Sequence, residues 1–437
     1  MILSGWGGYP RVECRVLEAG EPDELGATLA RNSSLIARGQ GRAYGDAALN
    51  PQATLRTLRC DRILAFDPST GRITCEAGVS LEDIIRTFLP RGWFPPVTPG
   101  TKFVTIGGMI AADVHGKNHH VEGTFGRHVT SLELMLEDGM IVTCSRDRHA
   151  DLFAATCGGM GLTGIILRAT FCLVPVETPW IRQETLRCGG LDEVMAAFQD
   201  SAGWRYCVAW IDCLASGKDL GRSLLYRGEH ALKRDLPLAI APSPRAKRPL
   251  TVPPVFPGWA LNRFSVGAFN AVYFRKGHPG AKIVDFDTFF YPLDSLLRWN
   301  RIYGRAGFVQ YQCVLPKDAS AEGIRELLQT IGQAGLGSFL AVLKLFGTSG
   351  EGLLSFPMEG YTLALDFPMR QRTLPLLQKL DAIVARYGGR IYLAKDACMA
   401  PGMLDSGYPQ IERFRQIQKA SGPQGRFSSL LSQRLKL

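Results

Sequence analysis

The chain has 437 residues and a mass of 47.9 kDa, with 46% of its residues apolar and 21% charged. That balance supplies large cores, and it excludes a mainly disordered chain, a collagen-like repeat and a small disulfide-stapled scaffold. The 50 Lys and Arg against 40 Asp and Glu leave a net charge of +10. Nucleic acid, an anionic lipid surface, a phosphorylated substrate, or no charged partner at all are each compatible with it.

The segment Met1–Tyr9 lacks a basic stretch and a long apolar core, so no secretory leader is expected. No uncharged apolar run reaches the length of a membrane span, since the run around Ile165 carries Arg168. The 11 cysteines show no Cys-x-x-Cys spacing, which predicts reduced, buried thiols in a cytoplasmic protein.

Residues 33–46 begin as a strand and dissolve into the glycine loop ARGQGRAYGD. Residues 62–92 predict two strands across a turn at Pro68–Gly71 and then a helix, with Ser80 as N-cap and Asp83 closing a capping box. A Pro/Gly-rich stretch at 94–109 leads into AADVHGKNHH. The segment 128–145 reads as a hairpin turning at Glu137–Gly139, and 155–175 as a glycine nest followed by a long strand. A helix is expected within 185–200, and RYCVAWIDC (205–213) alternates as a strand. Residues 229–258 are rich in Pro, Arg and Lys without periodicity and predict an exposed, mobile excursion. Strand and helix return at 283–304, with strands at 307–316, 338–347 and 361–369 and helices at 319–333 and about 373–387. A turn at 388–390 precedes a strand at 391–398.

Three glycines within the loop 37–46 offer backbone N–H groups suited to a pyrophosphate, or simply a structural turn. Neither a dinucleotide-fold fingerprint nor a Walker A sequence is present. Two further glycine clusters, 106–120 and 158–166, make a large cofactor held by main chain the better reading. His115, Lys117, His119 and His120 form the chemically richest stretch. No Asp, Glu or Cys set has the spacing to complete a metal site, so no metal is expected. Structural histidines and positive charge beside a redox cofactor both remain open.

The order RGxGRxYGD, TPGTxxVTIGGMIAADVHGKNHH and GGMGLTGII resembles the vanillyl-alcohol-oxidase-type FAD-linked oxidoreductases. More narrowly it is similar to the subfamily that oxidises decaprenylphosphoryl-β-D-ribose at its 2′-hydroxyl. The later segments FFYPLD, RWNRIYG, GFVQYQCVLP, VLKLFG and RIYLAKD have counterparts there, in order. The resemblance implies an α+β, two-domain flavoprotein. Residues 1–175 would form the first part of the FAD-binding domain. Residues 176–387 would form an antiparallel-sheet substrate domain with its basic loop at about 229–258. Residues 388–437 would return to the FAD-binding domain.

By the same resemblance, Gly39, Gly41, Arg42, Ala43 and Tyr44 lie on the diphosphate and adenine side of a non-covalent FAD. Thr105, Gly107, Gly108, Ala111 and His115 would line the flavin, together with Gly159, Gly161, Leu162 and Thr163. Lys395, His115, Lys117, Gln312 and Lys344 are the implied catalytic residues, Lys395 also touching the cofactor. Lys117, Phe290, Tyr291, Gln310, Gln312, Lys344 and Ala364 would bind substrate. Ala364 stands where the subfamily carries cysteine, and Phe290 leaves the expected tyrosine hydroxyl missing or shifted to Tyr291. On its own, the strand pattern of 391–398 puts Lys395 on one face with Leu393 and Ala397, either snorkelling at an edge or buried against a partner charge.

The implied activity is oxidation of a polyprenylphosphoryl-ribose to its 2′-keto sugar, the first half of an epimerisation to the arabinose form. An NAD(P)H-dependent short-chain reductase would complete it, and a quinone-like compound would take the electrons. An oxidase of another sugar, alditol or aldonolactone keeps the same fold. The basic excursion fits an anionic membrane surface and a peripheral location at its inner face. A nucleic-acid partner is not expected, because no reader motif or aromatic-interleaved basic patch is present.

Overall fold

The computed structural model describes residues 1–241, 243–244, 249–253, 257 and 261–437. The predicted cap at Ser80 is present: its side chain accepts from the Asp83 N–H at the start of helix Leu81–Phe88. That helix buries Leu81, Ile84, Ile85 and Phe88 against a five-stranded antiparallel sheet. The sheet order is Ile141–Ser145, Val129–Met135, Ile165–Cys172, Arg72–Glu76 and Ile63–Asp67. A small parallel sheet beside it runs Val16–Glu18, Thr54–Arg56 and Ile36–Arg38.

A third sheet has eight strands, every neighbouring pair antiparallel. Its order is Gly280–Asp285, Trp180–Cys188, Ser223–His230, Tyr206–Ile211, Ala341–Phe346, Gly360–Pro368, Phe308–Pro316 and Arg390–Ile391. Helices Leu191–Asp200, Ser320–Ala334 and Thr373–Arg386 bury their apolar stripes in one large core with this sheet. Leu315 touches Gly323 of the middle helix, and Tyr311 reaches the Asp381 carboxyl of the last. Residues 309, 311, 313 and 315 therefore point to the helices, and by strand alternation 310, 312 and 314 point away.

The chain's last segment goes back to its beginning. Leu35 pairs in parallel with Phe427, Leu430 N–H donates to the Leu49 carbonyl, and Asn50 donates to the Ser428 carbonyl. Arg434 grips Asp46 in a two-pronged ion pair and also reaches Asp396 at 2.9 Å. All 11 cysteines are free thiols, nine of them buried.

Several sequence expectations are corrected here. Residues 391–398 are not a strand: only Arg390–Ile391 pairs, and the Lys395 and Asp396 N–H groups fold back to the Tyr392 carbonyl. The face-sharing of Lys395 with Leu393 and Ala397 therefore does not exist. Tyr206–Ile211 does not alternate, since all six residues are buried in a strand covered on both sides. The expected excursion starts later than 229, because Ser223–His230 is a full strand. Arg227 is fixed there against Glu184 at 2.9 Å and contributes nothing to a loose basic patch. Lys233 and Arg234 are exposed, whereas Arg245, Lys247 and Arg248 lie outside the described residues. Helix Arg263–Lys276 has no counterpart in the sequence reading.

Candidate active site

The three glycine clusters converge. A Cβ on Gly39 would stand 2.2 Å from Thr105 Oγ1, so the loop after strand Ile36–Arg38 lies against the N-cap of helix Ile106–Ala111. The Gly158 and Met160 N–H groups donate to the Ile110 and Ala111 carbonyls at 2.9 Å each. Gly41 and Gly161 hold φ of +66° and +78°, the left-handed region that glycine enters without strain. Gly41, Arg42, Ala43, Gly107, Gly108, Ala111 and Gly161 keep some exposure, so their surfaces are available to a ligand. Gly159, Leu162 and Thr163 do not. Gly159 packs on the Ala155 carbonyl, Leu162 is 2% exposed, and Thr163 bonds to Thr156 Oγ1 at 2.9 Å.

Strand register builds the opposite wall. Gln310 faces Asp366 and Gln312 faces Ala364 across one pairing, while Lys344 faces Thr362 and Val342 faces Ala364 across the next. Residues directly opposite share a face, so Gln310, Gln312, Ala364, Asp366, Thr362 and Lys344 form one polar patch on the helix-free side. Gln310 donates to Asp366 at 2.6 Å, and Gln312 donates to Thr362 Oγ1 at 3.2 Å.

His115, from the loop after the Ile106 helix, meets this patch: Gln312 Nε2 lies 3.0 Å from its Nε2. With the amide N–H donating, Nε2 accepts and the ring proton sits on Nδ1. No described residue partners that buried Nδ1. Burial, then repulsion from Lys344, holds the ring well below its usual pKa. The imidazole is therefore neutral, which corrects the expectation that it shares a positive charge with the lysines. Its contribution is an unanswered hydrogen-bond donor.

Lys395 is carried by the turn described above, and its Nζ stands 3.7 Å from the centroid of the Tyr44 ring. That ring packs edge-on against Phe308 at 5.5 Å and is influenced by Gln310 and Asp366. The Tyr44 side chain thus stands among the groups of the second wall. Arg42 lies 3.9 Å above Trp6, attracted by Asp294.

Burial pushes Lys395 and Lys117 down to about 7 and Lys344 to about 8, with mutual repulsion adding to the shifts of Lys395 and Lys117. Asp366 is 0% exposed, and burial pushes its carboxyl up to about 7 despite Gln310 and Lys395. Three half-buried amines against one carboxyl make a site that lacks negative charge. Lys117 turns partly away, donating to the Phe289 carbonyl with its ammonium 4.5 Å from that ring. Phe290 is buried among Phe94, Tyr206 and His230, and the Tyr291 side chain is buried with no described hydrogen-bond partner for its hydroxyl. Neither stands at the strand patch. Asp366 carries no site signal in the sequence analysis, although its place two residues beyond Ala364 gives it the same face.

The donors fit FAD: exposed glycine backbone from three loops, a neutral imidazole N–H without a partner, and ammonium groups without enough counter-charge. Together with the antiparallel sheet, this is the architecture of a vanillyl-alcohol-oxidase-type flavoprotein, an FAD-binding domain plus a sheet-built substrate domain. Residues 16–145 match the FAD binding domain family. The chain is 37% identical over 454 aligned positions to the decaprenylphosphoryl-β-D-ribose oxidase of Mycolicibacterium smegmatis, covering all of this chain and 97% of that one. It is 35% identical to an uncharacterized protein of the mprA 5′ region in Streptomyces coelicolor, over 82% of this chain and all of that one. L-gulonolactone oxidase of Mus musculus is 30% identical over 39% of each chain. The chain belongs to the FAD-linked oxidoreductase family that contains the mycobacterial oxidase.

Proposed function

We propose that this protein oxidises the 2′-hydroxyl of a polyprenylphosphoryl-β-D-ribose, or a close pentofuranose, to the 2′-keto sugar. Bound FAD supplies the hydride acceptor. The observation that carries the substrate class is the excess of half-buried amines at Lys117, Lys344 and Lys395 over the single carboxyl of Asp366. An uncharged sugar or lactone gives no reason to bury three amines, whereas a phosphodiester answers them. Full-length similarity to the mycobacterial oxidase supports the same reading.

In this reading Lys344 and Lys117 hold the phosphate, and Gln310 and Gln312 orient the sugar through their amides. Lys395 stands beside the reacting groups as an ammonium and stabilises the negative charge that builds up there. Asp366 fixes Gln310 and favours the charged form of Lys395. The keto sugar then passes to an NAD(P)H-dependent short-chain reductase, and a quinone-like compound reoxidises the protein.

FAD is held without a covalent bond, by the glycine loops and the His115 N–H. Acid precipitation should leave yellow flavin in the supernatant; flavin fixed to the pellet overturns this.

The charge reading predicts a pH dependence with a definite sign. Below about pH 7 the three lysines are ammonium ions; between about 7 and 9 they lose protons, beginning with the lower-lying pair. The phosphodiester keeps one negative charge throughout, so substrate should bind about tenfold more weakly at pH 9 than at pH 7. Lys344→Met should weaken binding at pH 7 and flatten this slope. Flavin-fluorescence titration with the prenylphosphoryl sugar measures both. A pH-independent affinity, or an unchanged slope in the variant, overturns the phosphate assignment.

A further inference from the structure

Helix Arg263–Lys276 has no apolar stripe turned to the core, and it leaves large apolar side chains in solvent. Its inner side carries Val266 and the amide of Asn270, which donates to Asp212 at 2.7 Å. Its outer side carries Phe264 at 80% exposed, Val272 at 50%, Phe269 at 46% and Tyr273 at 38%. Tyr273 turns back onto Trp210 at 4.8 Å, but Phe264, Val272 and Phe269 lie within less than half a turn of one another, and three exposed apolar side chains grouped on one helix mark a contact surface.

The charge of the helix selects the partner. It carries Arg263, Arg275 and Lys276 and no Asp or Glu. These three are exposed. Apolar side chains projecting outward with basic groups at their flanks complement an anionic bilayer, whose headgroups meet the cations while its acyl region accepts the rings. Among the described residues no helix is long and apolar enough to cross a membrane, so such contact lies along the surface.

The helix is also tied to the site. Phe269 packs on Phe339 at 5.8 Å, Phe339 on Tyr303 at 5.9 Å, Tyr303 on Phe308 at 4.2 Å, and Phe308 on Tyr44 beneath Lys395 at 5.5 Å. A continuous row of rings joins the outward face to the reacting groups.

We propose that the outer face of helix Arg263–Lys276 docks this protein on an anionic lipid surface, next to the point where a lipid-borne substrate enters. The entry role rests on the substrate reading above; the docking itself does not. The test uses the full-length, flavin-loaded protein and vesicles of phosphatidylcholine with or without phosphatidylglycerol. The parent should sediment with the anionic vesicles, less so as salt rises. Phe264→Ser with Val272→Ser, and Arg275→Glu with Lys276→Glu, should each weaken binding about tenfold or more. Flavin content and flavin reduction by a short-chain, soluble prenylphosphoryl sugar should stay at parent level in both double variants, which shows that they fold.

Equal binding by parent and variants overturns the proposal, as does a parent that ignores anionic vesicles or binds neutral ones equally well. A parent that dimerises through this face, with the Phe264/Val272 variant monomeric, assigns it to a second copy and also overturns it. A parent that docks as described but is not reduced by any prenylphosphoryl sugar refutes the substrate reading and leaves the docking standing.

Discussion

Replacing Lys395 by alanine should lower the rate of flavin reduction by substrate by about 10²–10³ while the protein keeps its FAD. The Lys395 amine stands 3.7 Å from the Tyr44 ring; burial lowers its pKa to about 7 and Asp366 favours its charged form, in a site where burial makes every charge count. Its removal takes away a charge that matters most when negative density builds up during reaction. It does not empty a core, because the side chain is only half-buried. Arginine should not rescue the loss, since a broad planar fork cannot replace a point charge over an aromatic ring. Stopped-flow reduction beside a flavin-content measurement separates lost chemistry from lost cofactor. A variant that retains flavin and reduces it within a few-fold of the parent rate removes Lys395 from the reacting groups.

Gly45→Ala should cost about 2–3 kcal/mol of stability and release much of the bound flavin. A Cβ there would lie 1.8 Å from the Asp396 carbonyl oxygen and 2.9 Å from Ala397 Cα, and both are backbone atoms that cannot step aside as a side chain could. The loop has no room on its other side either, because Gly5 stands against the Tyr44 and Gly45 carbonyls. Tyr44 N–H donates to the Ala394 carbonyl at 2.9 Å, and Arg434 binds Asp46 and Asp396 together. The glycine loop and the lysine-bearing turn are thus one clamped unit, so a clash at 45 displaces Lys395 as well. Gly402→Ala, whose Cβ meets nothing within 4 Å, is the matched control and should behave as the parent. Thermal unfolding that leaves the Gly45 variant equal to that control contradicts the clamp.

Local signals were legible wherever the chain obeys them locally. The Ser80 cap, the hairpin over 128–145 and the three glycine loops follow from residue type and spacing, and the structure brings those loops together at Thr105 and Ala111. Gln310 and Gln312 came from the family resemblance, and strand Phe308–Pro316 sets them on one face. What failed depended on distant partners. The turn at Lys395 is imposed by docking of 394–397 on the Gly45 loop, which no short window reveals. Asp366 looks like core in its own strand and becomes a site residue only beside Gln310 and Lys395. Helix Arg263–Lys276 escaped notice because its apolar residues gather into no stripe, the pattern by which a core-packed helix is recognised. The neutrality of His115 is likewise a tertiary fact, set by burial and Lys344.

The most direct measurement is anaerobic mixing of the purified, flavin-loaded protein with prenylphosphoryl-ribose, its 2′-deoxy analogue and a soluble aldonolactone, following loss of oxidised-flavin absorbance. The ribose compound should bleach the flavin and yield a keto sugar lighter by two hydrogens, while the 2′-deoxy analogue binds without reducing it and the lactone does neither. Bleaching by the 2′-deoxy analogue at the same rate, or faster reduction by the lactone, would contradict the proposed oxidation of a phosphate-anchored sugar at its 2′-hydroxyl.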